Sequence, residues 1–355
     1  MTLEIKGFEA TAIGSLPFNN TTRALQLIKD TIPLIPHWPQ LPNRGVQEHF
    51  VFQNLDFLVQ LGLLNINDDK VMMDYESPNW VKNQVSFYEL YFQIESGNMN
   101  VLEDIKMPIN AAPGFYDFLD WIDKGNFTDS IAYKGQIAGP LSVGLFLKDH
   151  KKKLVYYTDQ TRDIIVKAIM INAMWQAYEL RKRGKQTIIF VDDPAVGAYG
   201  TSNYLTLNRQ GIVDDLASIV DGVHKMGAIV GAHSCCNIDW TIFMDAGFDI
   251  INFDTGYFQS LAVYKDELIS FVDKGGILAW GVVPTYNLSQ QENVKNLQNE
   301  FEGQIDQLLR KGLNESKLKK QILLSPACGT GILTDEQAEK IYQLVAELAE
   351  IYNKY

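Results

Sequence analysis

Ala228-Ile229-Val230-Gly231-Ala232-His233-Ser234-Cys235-Cys236 decides how this chain is read. An apolar run of strand length ends in a histidine, and two thiols follow at once. Strands in a parallel sheet are covered on both faces, so they read as unbroken apolar runs rather than as alternating ones. The same signature recurs on either side, at residues 135–140, 187–192, 249–254, Ile277–Val283 and Ile322–Pro326. Amphipathic stretches of helical length lie between them, at 161–183, 211–226, 291–311 and 334–352. Thr334 with Glu336 and Gln337 close behind marks an N-cap for the last. Strand–helix alternation means parallel βα units.

Six strands are clear, and two more close a barrel. Residues 9–15 supply the first and 70–76 the second, with 32–37 as the rival for that place. The predicted fold is therefore a single α/β domain over residues 1–355, a (β/α)8 TIM barrel. Extra helices in the long region 41–133 cover one end, and an open doubly wound sheet is the alternative. Composition agrees with a globular chain: 46% hydrophobic and 21% charged residues. A net charge of -12 argues against a nucleic-acid or anionic-membrane partner and leaves a small molecule as the default. The expected location is cytoplasmic, since no apolar run is long enough to span a bilayer and three cysteines fit a reducing compartment.

In such barrels chemistry sits at the C-terminal ends of the strands. Here those ends carry Gly14-Ser15, Gly139-Pro140, Asp192-Asp193-Pro194, His233-Ser234-Cys235-Cys236, Asp254 and Cys328-Gly329. His233, Cys235 and Cys328 together offer one imidazole and two thiolates, a donor set that suits zinc with a fourth position left for substrate. Asp254 is the candidate for that fourth position, or else hydrogen-bonds a neighbouring loop. Zinc deprotonates a bound thiol that is otherwise mostly protonated at neutral pH. The site therefore points to alkylation of a small-molecule thiol. Hydrolysis ranks lower, because no His/Glu base stands beside the metal motif. Asp192 would take the ammonium of an amino-acid substrate; Asp193 is as readily a helix cap. Gly14 and Ser15 would offer backbone N–H groups to a carboxylate, or form a tight turn before Pro17. His37 is a candidate for lining the mouth, whereas Trp280 and Tyr286 read as packing residues.

These motifs resemble the C-terminal catalytic barrel of cobalamin-independent methionine synthase, within the uroporphyrinogen-decarboxylase-like methyltransferase superfamily. The pieces that carry the resemblance run in the right order from residue 12 to about 335. They are Ala12-Ile13-Gly14-Ser15-Leu16-Pro17, Ile137-Ala138-Gly139-Pro140-Leu141-Ser142, Val191-Asp192-Asp193-Pro194-Ala195, His233-Ser234-Cys235, Asp249-Ile250-Ile251-Asn252-Phe253-Asp254 and Ser325-Pro326-Ala327-Cys328-Gly329. The resemblance implies a zinc site on His233, Cys235 and Cys328 and an Asp192 contact to the amino group of homocysteine. A looser match implies a substrate contact at Glu76. Three departures stand out: Asp254 where that family has Glu, an extra Cys236, and no room for the N-terminal barrel of the long enzymes. The last, with the lack of a Trp after Gly139-Pro140, favours a methyl-corrinoid protein over methyl-tetrahydrofolate as donor. The acidic Asp192 favours homocysteine over a sulfonate thiol such as coenzyme M. The expected activity is zinc-dependent S-methyl transfer. The alternatives are a zinc-free relative (a porphyrinogen decarboxylase or a folate–corrinoid methyltransferase) and a non-catalytic corrinoid-protein-binding module.

Overall fold

The computed structural model describes residues 2–67, 70–73, 75–286, 289 and 292–353. Seven strands form one parallel sheet: β1 (Glu9–Ala10), β2 (Ala132–Ala138), β3 (Gln186–Asp192), β4 (Ile229–Ser234), β5 (Ile250–Asp254), β6 (Ile277–Val283) and β7 (Ile322–Pro326). Their spatial order is β1-β7-β6-β5-β4-β3-β2. Each strand from β2 to β7 lies beside its successor, and β1 joins the last. A doubly wound sheet reverses its order partway; this one does not, so it is not doubly wound. The order is that of a TIM-like barrel, although the regular ladder leaves β1 and β2 unpaired with each other.

The place between β1 and β2 is held by residues 34–40. Ile131 and Lys134 donate backbone N–H groups to Leu34 O and Pro36 O (both 2.9 Å), and Trp38 N–H donates to Lys134 O. On the other side Gln40 N–H donates to Gly14 O (3.0 Å) and Leu16 N–H to Gln40 O (2.9 Å). The segment runs parallel to both edges through isolated bridges, Ser15 with Gln40 and His37 with Lys134. It stays irregular for a simple reason: Pro33, Pro36 and Pro39 carry no N–H to extend a ladder. Of the two candidates for the second strand, 70–76 is therefore displaced by its rival. Lys70–Met73 is a strand, but it pairs antiparallel with Asn65–Asn67 and parallel with Lys148–Asp149 in a separate small sheet.

Helices follow the strands on the outside: α1 (Thr21–Thr31), α2 (Trp80–Glu95), α3 (Pro113–Asp123), α4 (Pro140–Phe146), α5 (Asp159–Arg181), α6 (Arg209–Lys225), α7 (Lys265–Asp273), α8 (Val294–Arg310) and α9 (Asp335–Asn353). Asn20, Asn208 and Asn293 cap α1, α6 and α8 through their side-chain oxygens. Thr334 and Gln337 form the reciprocal capping box ahead of α9. None of the described helices is long and apolar enough to cross a membrane. The long region before β2 is used on two faces. α2 packs on α5 through Tyr88–Asp163 (2.6 Å), and α3 does so through Phe115–Trp175, so both flank the sheet rather than cap its end. Pro42, His49 and Phe50 reach the mouth instead.

Strand residues alternate between faces. Ala132, Ile188, Phe190, Ile229, Ile250, Ile277, Ala279 and Leu323 share one apolar cluster with Ile35 of the irregular segment. The same parity carried one or two steps further along each strand turns Lys134, Gln136, Asp192, His233, Asn252, Asp254 and Ser325 to that face. The concave face is apolar at its base and polar at its C-terminal end.

Candidate metal centre

His233, Cys235 and Cys328 bring one ligand atom each to within 4.8 Å of one another. β4 supplies His233 from its last turn inward, Cys235 follows directly, and Cys328 stands just past β7. Asn252 on β5 orients the histidine. Its Nδ2 donates to Ala279 O (2.9 Å) and to Ser325 Oγ (2.8 Å), so its Oδ1 is the atom that meets His233 Nδ1 at 2.5 Å. A carbonyl only accepts, which fixes the amide and places a proton on His233 Nδ1. Nε2 is then the nitrogen left to face Cys328. A metal-ligating histidine is held in this way, its second nitrogen donating to an oxygen behind it. An imidazole of fixed tautomer and two thiols fit zinc or another soft divalent ion.

Charge within the group is shared. A hydrogen bond from Cys235 holds the Cys328 thiol down to about 4 against the effect of burial, with His233 helping. Cys235 is pushed far up by its hydrogen bonds to Cys236 and Cys328 and by burial. Cys236 is pulled down to about 7 by Cys235. Burial works against the imidazolium of His233, but Cys328, Asp192 and Asn252 outweigh it and raise its pKa.

Asp254 does not join the three. Its carboxylate accepts Gly256 N–H at 2.8 Å and caps the turn Thr255–Tyr257, the neighbouring-loop alternative. An Asp side chain is one methylene shorter than a Glu, and this one is spent on its own turn. Among the described residues the candidate ligands are thus three.

A cavity of about 400 Å³ opens above the group, within the range of small-molecule sites. Ser15, Gln40, His49, Asp192, His233, Cys235, Tyr286 and Cys328 line it, with Ile13, Phe50 and Ile332 among the apolar walls. Asp192 points inward, its Oδ1 buried and without a partner among the described residues. Burial pushes its carboxyl up to about 6, while His233 and Lys134 pull the other way. Asp193, one residue on, faces outward. It accepts Leu141 N–H, Ser142 N–H and Ser142 Oγ–H at 2.9, 2.8 and 2.6 Å, so it caps α4.

Ser15 lines the cavity, and its Oγ stands 2.2 Å from where a Cβ on Gly329 would sit, which is why glycine follows Cys328. Gly14 is behind it. Its φ of +150° and the Gln136 side chain, 2.6 Å from a notional Cβ, demand glycine. Glu76 lies apart from the cavity. It is 59% exposed, bound to Lys151 (2.7 Å) and His150 (3.2 Å), because the strand before it belongs to the small sheet. His37 is also away from the mouth, buried between Trp38 O and Tyr342 Oη. Tyr286, read from sequence as packing, is a cavity residue beside Cys328.

Two residues escaped sequence reading. Lys134 is fully buried, its Nζ donating to Ile13 O (2.7 Å) and lying 4.3 Å above the Phe190 ring. Burial lowers its pKa to about 7, and Asp192 opposes this. Asn252 is the other. The signal was available for both: a polar side chain inside an apolar strand must face a polar partner.

No family model and no curated protein matches this chain. Solved structures do. A B12-independent methionine synthase from Shewanella sp. W3-18-1, in complex with selenomethionine, superposes with a TM-score of 0.56 over 98% of both chains at 13% identity. An α-L-fucosidase from Bacteroides thetaiotaomicron (12% identity, 98% of this chain and 97% of that one) and an amidohydrolase (14% identity, 67% and 62%) give TM-scores of only 0.35 and 0.30. At such identities what is shared is the fold, over 98% of both chains.

Proposed function

We propose that the protein is a zinc-dependent S-methyltransferase acting on an amino-acid thiol, with homocysteine as acceptor. In this reading the sheet and the 34–40 segment together make a (β/α)8 barrel, and the cavity is its mouth. The observation that carries the proposal is the convergence of His233, Cys235 and Cys328 within 4.8 Å, under a cavity that also holds Asp192, whose Oδ1 has no hydrogen-bond partner among the described residues. His233, Cys235 and Cys328 would hold the metal. Zinc, when bound, would keep a coordinated acceptor thiol deprotonated at neutral pH. Asp192 takes the substrate ammonium as its missing partner. Gly14 and Ser15 use neither backbone N–H in a hydrogen bond among the described residues, which leaves both for the carboxylate. The acceptor sulfur then forms its bond to the methyl carbon as the donor–methyl bond breaks, the electron pair staying with the donor. The fold shared with a methionine synthase supports this reading.

The test is zinc content by elemental analysis beside Cys328→Ser, then methyl transfer to homocysteine from methyl-corrinoid and from methyl-tetrahydrofolate in parallel. About one zinc per chain, lost in the variant together with transfer, is the expected result. No zinc after reconstitution under reducing conditions would overturn the proposal and favour a zinc-free member of the superfamily.

A further inference from the structure

We infer that His49 is a binding residue for the methyl donor, its Nε2–H hydrogen-bonding an acceptor atom on the flat conjugated ring system that carries the methyl group. This rests on the methyl-transfer reading above. The cavity has two ends of different chemistry. Asp192, His233, Cys235 and Cys328 sit at the floor, on the strand ends. The rim is aromatic and apolar: His49, Phe50, Tyr286 and Ile332, the last three 39%, 54% and 77% exposed. An acceptor thiol held at the floor is closed off below by the apolar base of the sheet. The donor must therefore arrive across the rim, and whatever lines the rim touches it.

His49 is the rim residue built to hold a fixed orientation. It stands between the short turns Val46–Glu48 and Phe52–Asn54. Its N–H donates to Val46 O, its carbonyl accepts Gln53 N–H, and Glu48 beside it is anchored by Arg44 at 2.5 Å. Its ring lies 5.1, 4.9 and 5.3 Å from those of Phe50, Phe52 and Phe146. Val51 N–H donates to Nδ1 at 3.3 Å. In the neutral ring the proton is then on Nε2, and burial among the rings favours that neutral form. Nε2 has no partner among the described residues, and it is not sealed in the core. A single oriented donor set in an aromatic wall suits a planar ring that offers both a face and an acceptor edge. A pterin and a corrin both answer that description.

The test needs no turnover. Tetrahydrofolate and hydroxocobalamin are titrated separately by calorimetry into zinc-loaded wild type, His49→Phe and His49→Gln, with thermal stability and zinc content as controls. His49→Phe keeps a ring in the stack and removes the N–H; His49→Gln restores an N–H donor. The expected result is binding of one of the two ligands, weakened about tenfold in His49→Phe and regained in part in His49→Gln. Zinc content and homocysteine affinity stay unchanged. Equal affinity of wild type and His49→Phe, or no binding of either ligand by wild type, would overturn the inference. A wild type that binds one ligand through His49 yet never methylates homocysteine would instead sink the reading it rests on.

Discussion

Asp192 and Asp193 are chain neighbours turned to opposite faces of β3, and their fates differ accordingly. Asp193→Ala should cost about 3 kcal/mol, because it strips partners from two buried N–H groups of α4, and should leave zinc content intact. Chemical denaturation and elemental analysis would show this. Asp192→Asn should leave stability nearly unchanged and raise KM for homocysteine about tenfold to a hundredfold. A thiol of similar length without the amino group should show no such rise; if it does, Asp192 is not the ammonium site. Asp254→Ala should retain one zinc per chain, and Asn252→Ala should weaken zinc about tenfold to a hundredfold in a chelator competition. His233, Cys235, Cys328 and Asp192 stood out in the sequence because each marks a strand end, and the structure brings all four to one cavity. Asp254 was open between a fourth ligand and a loop contact, and no sequence shows that its carboxylate turns back onto Gly256. Lys134 and Asn252 were visible as polar residues in apolar strands, but their partners need the register between strands.

At the scale of elements, strands and helices from residue 130 onward were readable to within a few residues, since each strand is a continuous apolar run. The segment 34–40 was read only as the rival strand 32–37, because Pro36 and Pro39 within it and Pro33 before it weaken the strand signal while the geometry keeps the strand's place. His37 within it ties the segment to α9 through Tyr342. Burial and the charge of Lys134 depress its pKa from 6.5 to about 3. The unfolded chain binds this proton below pH 6.5 and the folded chain does not. Stability contributed by neutral His37 is therefore complete above pH 6.5 and lost as pH falls towards 3, on the order of 5 kcal/mol across that window. His37→Phe should be less stable near neutrality but should flatten the dependence of Tm on pH between 6.5 and 3. An unchanged slope would place the acid sensitivity elsewhere.

For the whole molecule, the three candidate ligands come from two strands separated by β5 and β6, so an ion held there would tie distant parts of the sheet together. If the proposed site is right, zinc would favour the folded state and raise Tm by mass action. Thermal scans with and without zinc should separate wild type, which shifts, from Cys328→Ser, which does not. The order β1-β7-β6-β5-β4-β3-β2 also explains why the general architecture was readable but the edges of the sheet were not. Alternation specifies winding, whereas what joins the two edges here is a few hydrogen bonds to residues 34–40 rather than an eighth regular strand.

The position of Cys328 sets a timetable. During synthesis His233 and Cys235 emerge long before it, and two ligands on an unfinished sheet hold zinc poorly. In the proposed reading, firm metal capture would wait until β7 has docked between β1 and β6. A chain carrying zinc would thereby have passed an inspection of its own assembly, and a stalled or truncated one would stay empty.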